Sequence, residues 1–190
     1  MIDPGDVVAV VLAAGLSRRF GPADKLTAPY RGEPLVAHAA RLTQQFPFKA
    51  RLAVVRPESA ASALLAEQGL ELCENPEPAR GMGSSLAIAA GAAESLGAAA
   101  CLILLGDMPN VTPAHLRRLF DTFGAPAYLV ASTDGQHRSP PSLFGRQHFA
   151  ALRKLAADTG GSSLIASAPT VLADARMLAD VDVAADLQPD

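Results

Sequence analysis

The stretch that decides the fold is Val7-Val8-Ala9-Val10-Val11-Leu12-Ala13, followed by Ala14-Gly15-Leu16-Ser17-Arg18-Arg19-Phe20-Gly21-Pro22-Ala23-Asp24-Lys25. An unbroken apolar, valine-rich run without polar alternation predicts a strand buried on both faces, and such strands belong to parallel sheets covered by helices on each side. Similar blocks recur at residues 51–55 and 101–105, with a weaker one at 128–131. Between the first three lie helical periodicities at residues 34–45, 57–67 and 84–96. A further helix is marked at its start. Thr112 can cap it, Pro113 suits its first position, and Leu116, Leu119 and Phe120 follow on one face. This alternation predicts the α/β class: a doubly wound, mostly parallel sheet with helices on both faces.

The periodicity changes after residue 125. Asp134-Gly135 between two apolar segments is a hairpin signal, and Pro140-Pro141 argues against a central ladder strand just beyond it. A small antiparallel excursion at the sheet edge is therefore expected in the C-terminal third. Helices around residues 147–155 and 162–166, a last strand at 170–172 and a carboxyl tail complete the pattern. With no internal repeat, low-complexity tract or linker, a single domain over residues 1–190 is predicted.

A chain of 190 residues, 49% hydrophobic and 18% charged with a net charge of −3, has the composition of a core-rich globule. That balance excludes a disordered tail or a polyanion-binding arm. The 16 basic residues are scattered, which argues against a phosphate-tracking stripe for long nucleic acid and leaves room only for a small anion. The most apolar stretch, residues 86–105, is interrupted by Gly91, Glu94, Ser95 and Gly97, so it reads as helix, turn and strand and no membrane partner is expected. Asp3 and Asp6 precede the first apolar run where an export signal carries positive charge, and a cytoplasmic location is expected. Cys73 and Cys101 have no CxxC partner and read as reduced, buried thiols.

In doubly wound sheets ligands bind outside the carboxyl ends of the strands, so the loops starting at Ala14, Gly106 and Cys73 are the ones to read for chemistry. The first has glycines that let backbone approach a ligand. It fits neither G-x-x-x-x-G-K-[ST] nor G-x-G-x-x-G. Lysine is scarce, with Lys25, Lys49 and Lys154 against 13 arginines, so a lysine closing this loop goes against the chain's own bias. Taken as residues alone, the loop is either an anion site or an exposed connection with solvated arginines. Asp107, in Leu104-Leu105-Gly106-Asp107-Met108-Pro109, sits at a strand end facing the same crevice. Mg²⁺ is commonly held by one or two carboxylates plus phosphate oxygens, and Asp182 in Asp180-Val181-Asp182 is the candidate second acid. The alternatives are a turn residue at 107 and a solvated charge at 182. Arg80-Gly81-Met82-Gly83-Ser84-Ser85-Leu86 brings free amides and hydroxyls together before a helix, where a base or phosphate could dock; otherwise Ser84 is simply a helix cap. No G-x-S-x-G elbow is present. Asp158-Thr159-Gly160 spells an aspartic-protease tripeptide but lies between helical patterns in an α/β chain. His38, His115 and His148 lack the partners at helical spacing that zinc requires.

Together, Leu12-Ala13-Ala14-Gly15 with Ser17, Arg19, Phe20, Gly21 and Lys25 resembles the signature of nucleotidyltransferases that activate sugar phosphates, methylerythritol phosphate and molybdopterin. The order of Gly81-Met82-Gly83-Ser84-Ser85-Leu86, Gly106-Asp107-Met108-Pro109, Pro141-Ser142-Leu143-Phe144 and Asp158-Thr159-Gly160 is most similar to that of the molybdenum cofactor cytidylyltransferases. The resemblance spans nearly the whole chain and implies a nucleotide-diphospho-sugar transferase-like fold. It implies that the loop with Leu12, Ala13, Ala14, Gly15 and Ser17 wraps the triphosphate of CTP, that Arg19 and Lys25 neutralise it, that residues 81–85 with Gly81, Ser84 and Ser85 cradle the base, and that Arg80 is a further nucleotide-binding residue. Asp107 and Asp182 would hold Mg²⁺, with Arg19, Lys25 and Asp107 as the catalytic set. The terminal phosphate of molybdopterin would attack the α-phosphorus and release pyrophosphate, the acceptor lying along residues 140–162. A transient contact with a molybdoenzyme would follow. Guanylyl transfer to the same cofactor, a sugar-phosphate-like acceptor, and a non-catalytic delivery protein are the alternatives.

Three departures bear on the acceptor side. Ser139-Pro140-Pro141 replaces a Gly-x-Pro, Gly161-Ser162 stands where related chains carry Ala-Arg, and Asp180-Val181-Asp182-Val183-Ala184 lacks the threonine and proline of Asp-x-Asp-Thr-Pro.

Overall fold

The structure is a computed structural model that describes residues 1–17, 20, 24–155 and 161–187. The chain order is β1 (Val7–Ala13), β2 (Pro29–Tyr30), β3 (Glu33–Pro34), α1 (Leu35–Thr43), β4 (Ala50–Val55), α2 (Ala61–Glu67), β5 (Glu71–Glu74), α3 (Met82–Ser95) and β6 (Ala100–Leu105). It continues with α4 (Pro113–Thr122), β7 (Leu129–Thr133), β8 (Arg138–Gly145), α5 (Phe149–Arg153), α6 (Ser162–Ile165), β9 (Thr170–Leu172) and α7 (Ala175–Leu178). A seven-stranded sheet runs β5-β4-β1-β6-β8-β7-β9, and β2 and β3 form a separate antiparallel pair. Within the large sheet only β8 opposes its neighbours, β6 and β7; all other pairings are parallel.

Every residue of β1 is buried, and the two helical layers account for it. Val7, Ala9, Val11 and Ala13 face α1, α2 and α4 through Val36, Ala40, Leu65, Leu116 and Leu119. Val8, Val10 and Leu12 face α3, α5 and α6 through Leu86, Ala89, Ala90, Phe149, Leu152 and Ile165. Because successive strand side chains point to opposite faces, a strand covered on both sides must be apolar at every position. The α4 start behaves as the sequence dictates, with the Thr112 side chain accepting from the His115 amide and Pro113 next to it. From β1 the chain winds outward to β4 and β5, then crosses back to lay β6 on the other side of β1. The order thus reverses between β1 and β6, where Leu12 pairs with Leu105. Among the described residues no helix is long and apolar enough to cross a membrane. Cys101 is fully buried, which pushes its thiol up to about 12, and Cys73 is half-buried.

One expectation is corrected. The antiparallel excursion is not at the edge: β8 lies between β6 and β7, and the edge on that side is β9. The prolines are accommodated by a break in register. Ala131 pairs with Ser142 but Ser132 pairs with Ser139, so Pro140 and Pro141 are the extra residues of a bulge, where no N–H is needed for the ladder. On the other side, β6 pairs only with residues 142–145, beyond both prolines. The β2–β3 pair and α7 had no counterpart in the sequence reading, and the edge strand β5 had one only in the loop read as starting at Cys73. Glu71 and Leu72 of β5 are exposed, so no buried apolar run marks it.

Behind β7 and β8, His115 is 2% exposed. Ser132 spends its only proton on the Pro141 carbonyl at 2.8 Å, so the His115 Nε2 must be the donor in its 2.8 Å contact with Ser132 Oγ. The Nδ1 atom has no hydrogen-bond partner among the described residues. A proton added there would be buried and unpaired. Burial first, and then the Arg118 guanidinium, hold this histidine below its ordinary value. The unfolded chain consequently binds the proton more readily than the folded one, and stability falls as pH drops below about 6.5. Urea midpoints measured between pH 8 and pH 5.5 should decline for the wild type and decline less for His115→Leu; parallel slopes would exclude His115 as the responsible group.

Candidate functional site

A cleft of about 450 Å³ opens at the carboxyl ends of β1 and β6, at the point where the strand order reverses. One wall is the end of β1 and the loop after it, with Leu12, Ala13, Ala14, Gly15 and Ser17; another is Gly81, Met82 and Ser85 at the start of α3. Lys25, Asp107, Asp180 and Asp182 close it.

Lys25 is only 9% exposed. Asp24 holds it there, since its Oδ1 accepts the Leu26 amide at 3.1 Å and so caps the short turn Lys25–Thr27. The Lys25 Nζ donates to Asp107 Oδ2 at 2.6 Å and to the Val181 carbonyl at 2.9 Å, and faces Asp182 Oδ1 at 3.5 Å. Asp107 is brought there by Gly106, whose amide donates to the Leu12 carbonyl at 3.0 Å. A Cβ at that glycine would lie 3.2 Å from the same carbonyl and 3.2 Å from Val36, so the close approach of β6 to β1 leaves little room for a side chain here. The carboxyl tail is tied in by the Val181 amide, which donates to the Asp107 carbonyl at 2.9 Å. Asp186 then shapes the segment by accepting the amides of Asp182 and Val183 at 2.8 and 2.9 Å. Burial, followed by the charges of Asp182 and Asp107, holds the Asp180 carboxyl above the usual range. Among the described residues Asp107, Asp180 and Asp182 face this one ammonium, and carboxylate oxygens are the hard donors that a divalent cation takes. Among the described residues no group of three or more His, Cys, Asp or Glu is placed to hold a metal ion, so at most two carboxylates would ligate a cation here, with phosphate or water supplying the rest.

Gly15 differs from Gly106. Among the described residues a Cβ on it would meet no atom within 4 Å, and its backbone is not in the left-handed region. Neither packing nor conformation requires glycine there, which leaves room on the cleft side. Ser17 sits at φ +48°, and its buried Oγ has no partner among the described residues. Gly81 precedes α3 at φ +84°, a conformation that favours glycine, and no side chain caps that helix. Ser84 therefore is not the cap: it lies inside the first turn and donates to the Gly81 carbonyl at 2.8 Å.

Of the sequence-predicted residues, the structure brings Leu12, Ala13, Ala14, Gly15, Ser17, Lys25, Gly81, Ser85, Asp107 and Asp182 to one cleft. Arg80 and Ser84 instead border a neighbouring depression of about 270 Å³, where the Arg80 guanidinium pairs with Glu77 at 2.8 Å. Arg19 and the Asp158-Thr159-Gly160 segment lie outside the described residues. Two residues escaped the sequence reading. Arg56, just beyond β4, donates to Asp24 Oδ2 at 2.8 Å and to the Gly15 carbonyl at 3.3 Å, so it joins the two ends of the first loop. Asn75, just beyond β5, is 1% exposed and donates to Ser84 Oγ and Ser85 Oγ at 2.9 and 3.0 Å. Both are polar residues directly before a proline at a strand end, a placement that could have singled them out.

Residues 9–173 match the MobA-like NTP transferase domain. The purine catabolism protein PucB of Bacillus subtilis (strain 168) is 30% identical over 175 residues, covering 85% of this chain and 81% of that protein. Among solved structures, Rv0371c from Mycobacterium tuberculosis H37Rv is 28% identical with a TM-score of 0.75, covering 95% of both chains. A structure of Rv0371c in complex with manganese, 24% identical over 95% of both chains with a TM-score of 0.72, shares the fold. On the domain match and the PucB identity, this chain belongs to the MobA-like NTP transferase family.

Proposed function

We propose that the chain is a Mg²⁺-dependent cytidylyltransferase that moves CMP from CTP to the terminal phosphate of molybdopterin. The observation that carries this reading is the convergence of Lys25, Asp107 and Asp182 at the strand-order reversal, opposite a glycine-bearing loop that leaves space for phosphates. The loop from Leu12 to Ser17 would follow the triphosphate, and Gly81 and Ser85 would face the base. The free amides that begin α3 add partial positive charge to the same space. Asp107 and Asp182 would hold Mg²⁺, which supplies positive charge to the phosphate oxygens. Arg19 is proposed, on the resemblance alone, as a further phosphate contact.

In the reaction an oxygen of the acceptor phosphate forms a bond to the α-phosphorus, the bond from that phosphorus to the bridging oxygen of the β-phosphate breaks, and pyrophosphate leaves. No covalent enzyme intermediate is needed. The protein's work is to align the two phosphates and to offset charge on the leaving group. In the resting site Lys25 is held by two carboxylates and a carbonyl, so its ammonium is already fixed at the cleft wall before any nucleotide arrives.

Pyrophosphate release from CTP with Mg²⁺ and purified molybdopterin is the direct test. Asp107→Asn should lower that rate on the order of a hundredfold or more while circular dichroism stays that of the folded protein. Near wild-type turnover would reduce Asp107 to a structural partner of Lys25.

The base preference rests on Ala14, which is buried and lines the cleft. Its methyl narrows the space beside the base relative to a glycine. CTP should therefore be used better than GTP, and Ala14→Gly should reduce the CTP-to-GTP ratio of kcat/KM by roughly tenfold without inverting it, since a methyl-sized change in a pocket is worth only about 1–3 kcal/mol. A wild-type preference for GTP would make the protein a guanylyltransferase of the same family.

A further inference from the structure

We propose that Asn75 is a positioning residue for base selection, acting by fixing Ser85 as a hydrogen-bond donor toward the cleft. The inference rests on the reading of that cleft as the nucleotide site. The orientation of the Asn75 amide follows from its partners. The Glu77 backbone amide, which can only donate, lies 3.0 Å from Oδ1, so that atom is the oxygen and the Nδ2 group faces the two serines. The backbone of Asn75 is itself anchored, its N–H donating to the Val55 carbonyl at 2.7 Å. Both amide protons are committed, one toward Ser84 Oγ at 2.9 Å and one toward Ser85 Oγ at 3.0 Å.

Each serine oxygen therefore accepts from Asn75, and each hydroxyl proton must go elsewhere. The Ser84 proton goes to the Gly81 carbonyl at 2.8 Å. The Ser85 proton has no acceptor among the described residues, and Ser85, 6% exposed, lines the cleft. A buried hydroxyl left with an unspent proton at a ligand wall reads acceptors. Cytosine presents an acceptor at N3, which the free Ser85 proton meets directly, whereas toward the N3–H of uracil the hydroxyl must turn that proton away and offer its one remaining lone pair, so the arrangement favours the first without any difference in size.

An aspartate at position 75 would reverse the polarity. Its carboxylate has no proton to give, so it would keep the Glu77 contact with one oxygen and take the Ser85 proton with the other, turning the Ser85 lone pairs toward the base. Asn75 would thus govern base choice without touching the nucleotide, and the reversal would be transmitted wholly through Ser85.

The test is calorimetric titration of CTP and of UTP, each with Mg²⁺, into the wild type, Asn75→Asp, Ser85→Ala and the double variant. Binding needs no acceptor, so the result does not depend on which acceptor is used. The wild type should bind CTP roughly tenfold or more tightly than UTP, Asn75→Asp should bring that ratio to one or below, and Asn75→Asp should change nothing further in the Ser85→Ala background. Asn75→Ala, which introduces no buried charge, should also collapse the ratio and serves if the aspartate variant does not fold. A wild-type ratio retained in the folded Asn75 variants, or an equal change in the Ser85→Ala background, would overturn the inference while leaving the cleft a nucleotide site. Failure of the wild type to bind either nucleotide would overturn the site reading and this inference with it.

Discussion

A single ammonium group, that of Lys25, holds together three parts of the chain that are far apart in sequence. It meets Asp107 from the end of β6, the Val181 carbonyl from the carboxyl tail and Asp182 one residue further on. Burying a charge is costly unless it is paired and fully hydrogen-bonded, and this one is satisfied only if all three segments arrive together. The loop after β1, the strand that follows the topological crossover and the tail therefore meet at this ammonium, with the Gly106–Leu12 and Val181–Asp107 backbone bonds tying the same segments together. A cleft built in this way is charged before any ligand enters, with Lys25 facing Asp107 and Asp182 across it.

The rest of the sheet supplies the setting. The crossover between β5 and β6 leaves the ends of β1 and β6 adjacent at the point where the strand order reverses, and this is where doubly wound sheets have room for a ligand. The floor is rigid, because β1 is buried throughout and paired on both sides. The upper walls are set by small groups: Gly106 for close approach, Gly15 for open space, Gly81 for the turn into α3. Arg56 and Asn75 hold two of these walls from behind, one by joining the ends of the first loop and the other by gripping the serines of the second.

Much of this was legible in the residues. Strands buried on both faces announce themselves as unbroken apolar runs, which is why β1 and β6 and the residues at their ends, Gly15 and Asp107, could be named in advance. The signal fades at the edges. β5 has polar, exposed positions and no run to detect. Pro140 and Pro141 pointed away from an interior strand because a bulge that removes two residues from the ladder leaves no mark in local composition. The Lys25–Asp107 pair was out of reach for a different reason: both residues could be placed at the cleft, but contact across 82 positions depends on how three loops close, not on the character of either residue. Arg56 and Asn75 were missed because their roles are in supporting other groups.

The central claim is that the Lys25, Asp107 and Asp182 cluster recognises a metal ion and a nucleotide as one unit. Thermal unfolding of the wild-type protein with Mg²⁺ alone, CTP alone and both together measures this directly, because a ligand raises Tm only to the extent that it binds the folded state. The account predicts a rise with both that exceeds the sum of the two separate rises. An equal rise with CTP whether or not Mg²⁺ is present, or none under any of the three conditions, would contradict it.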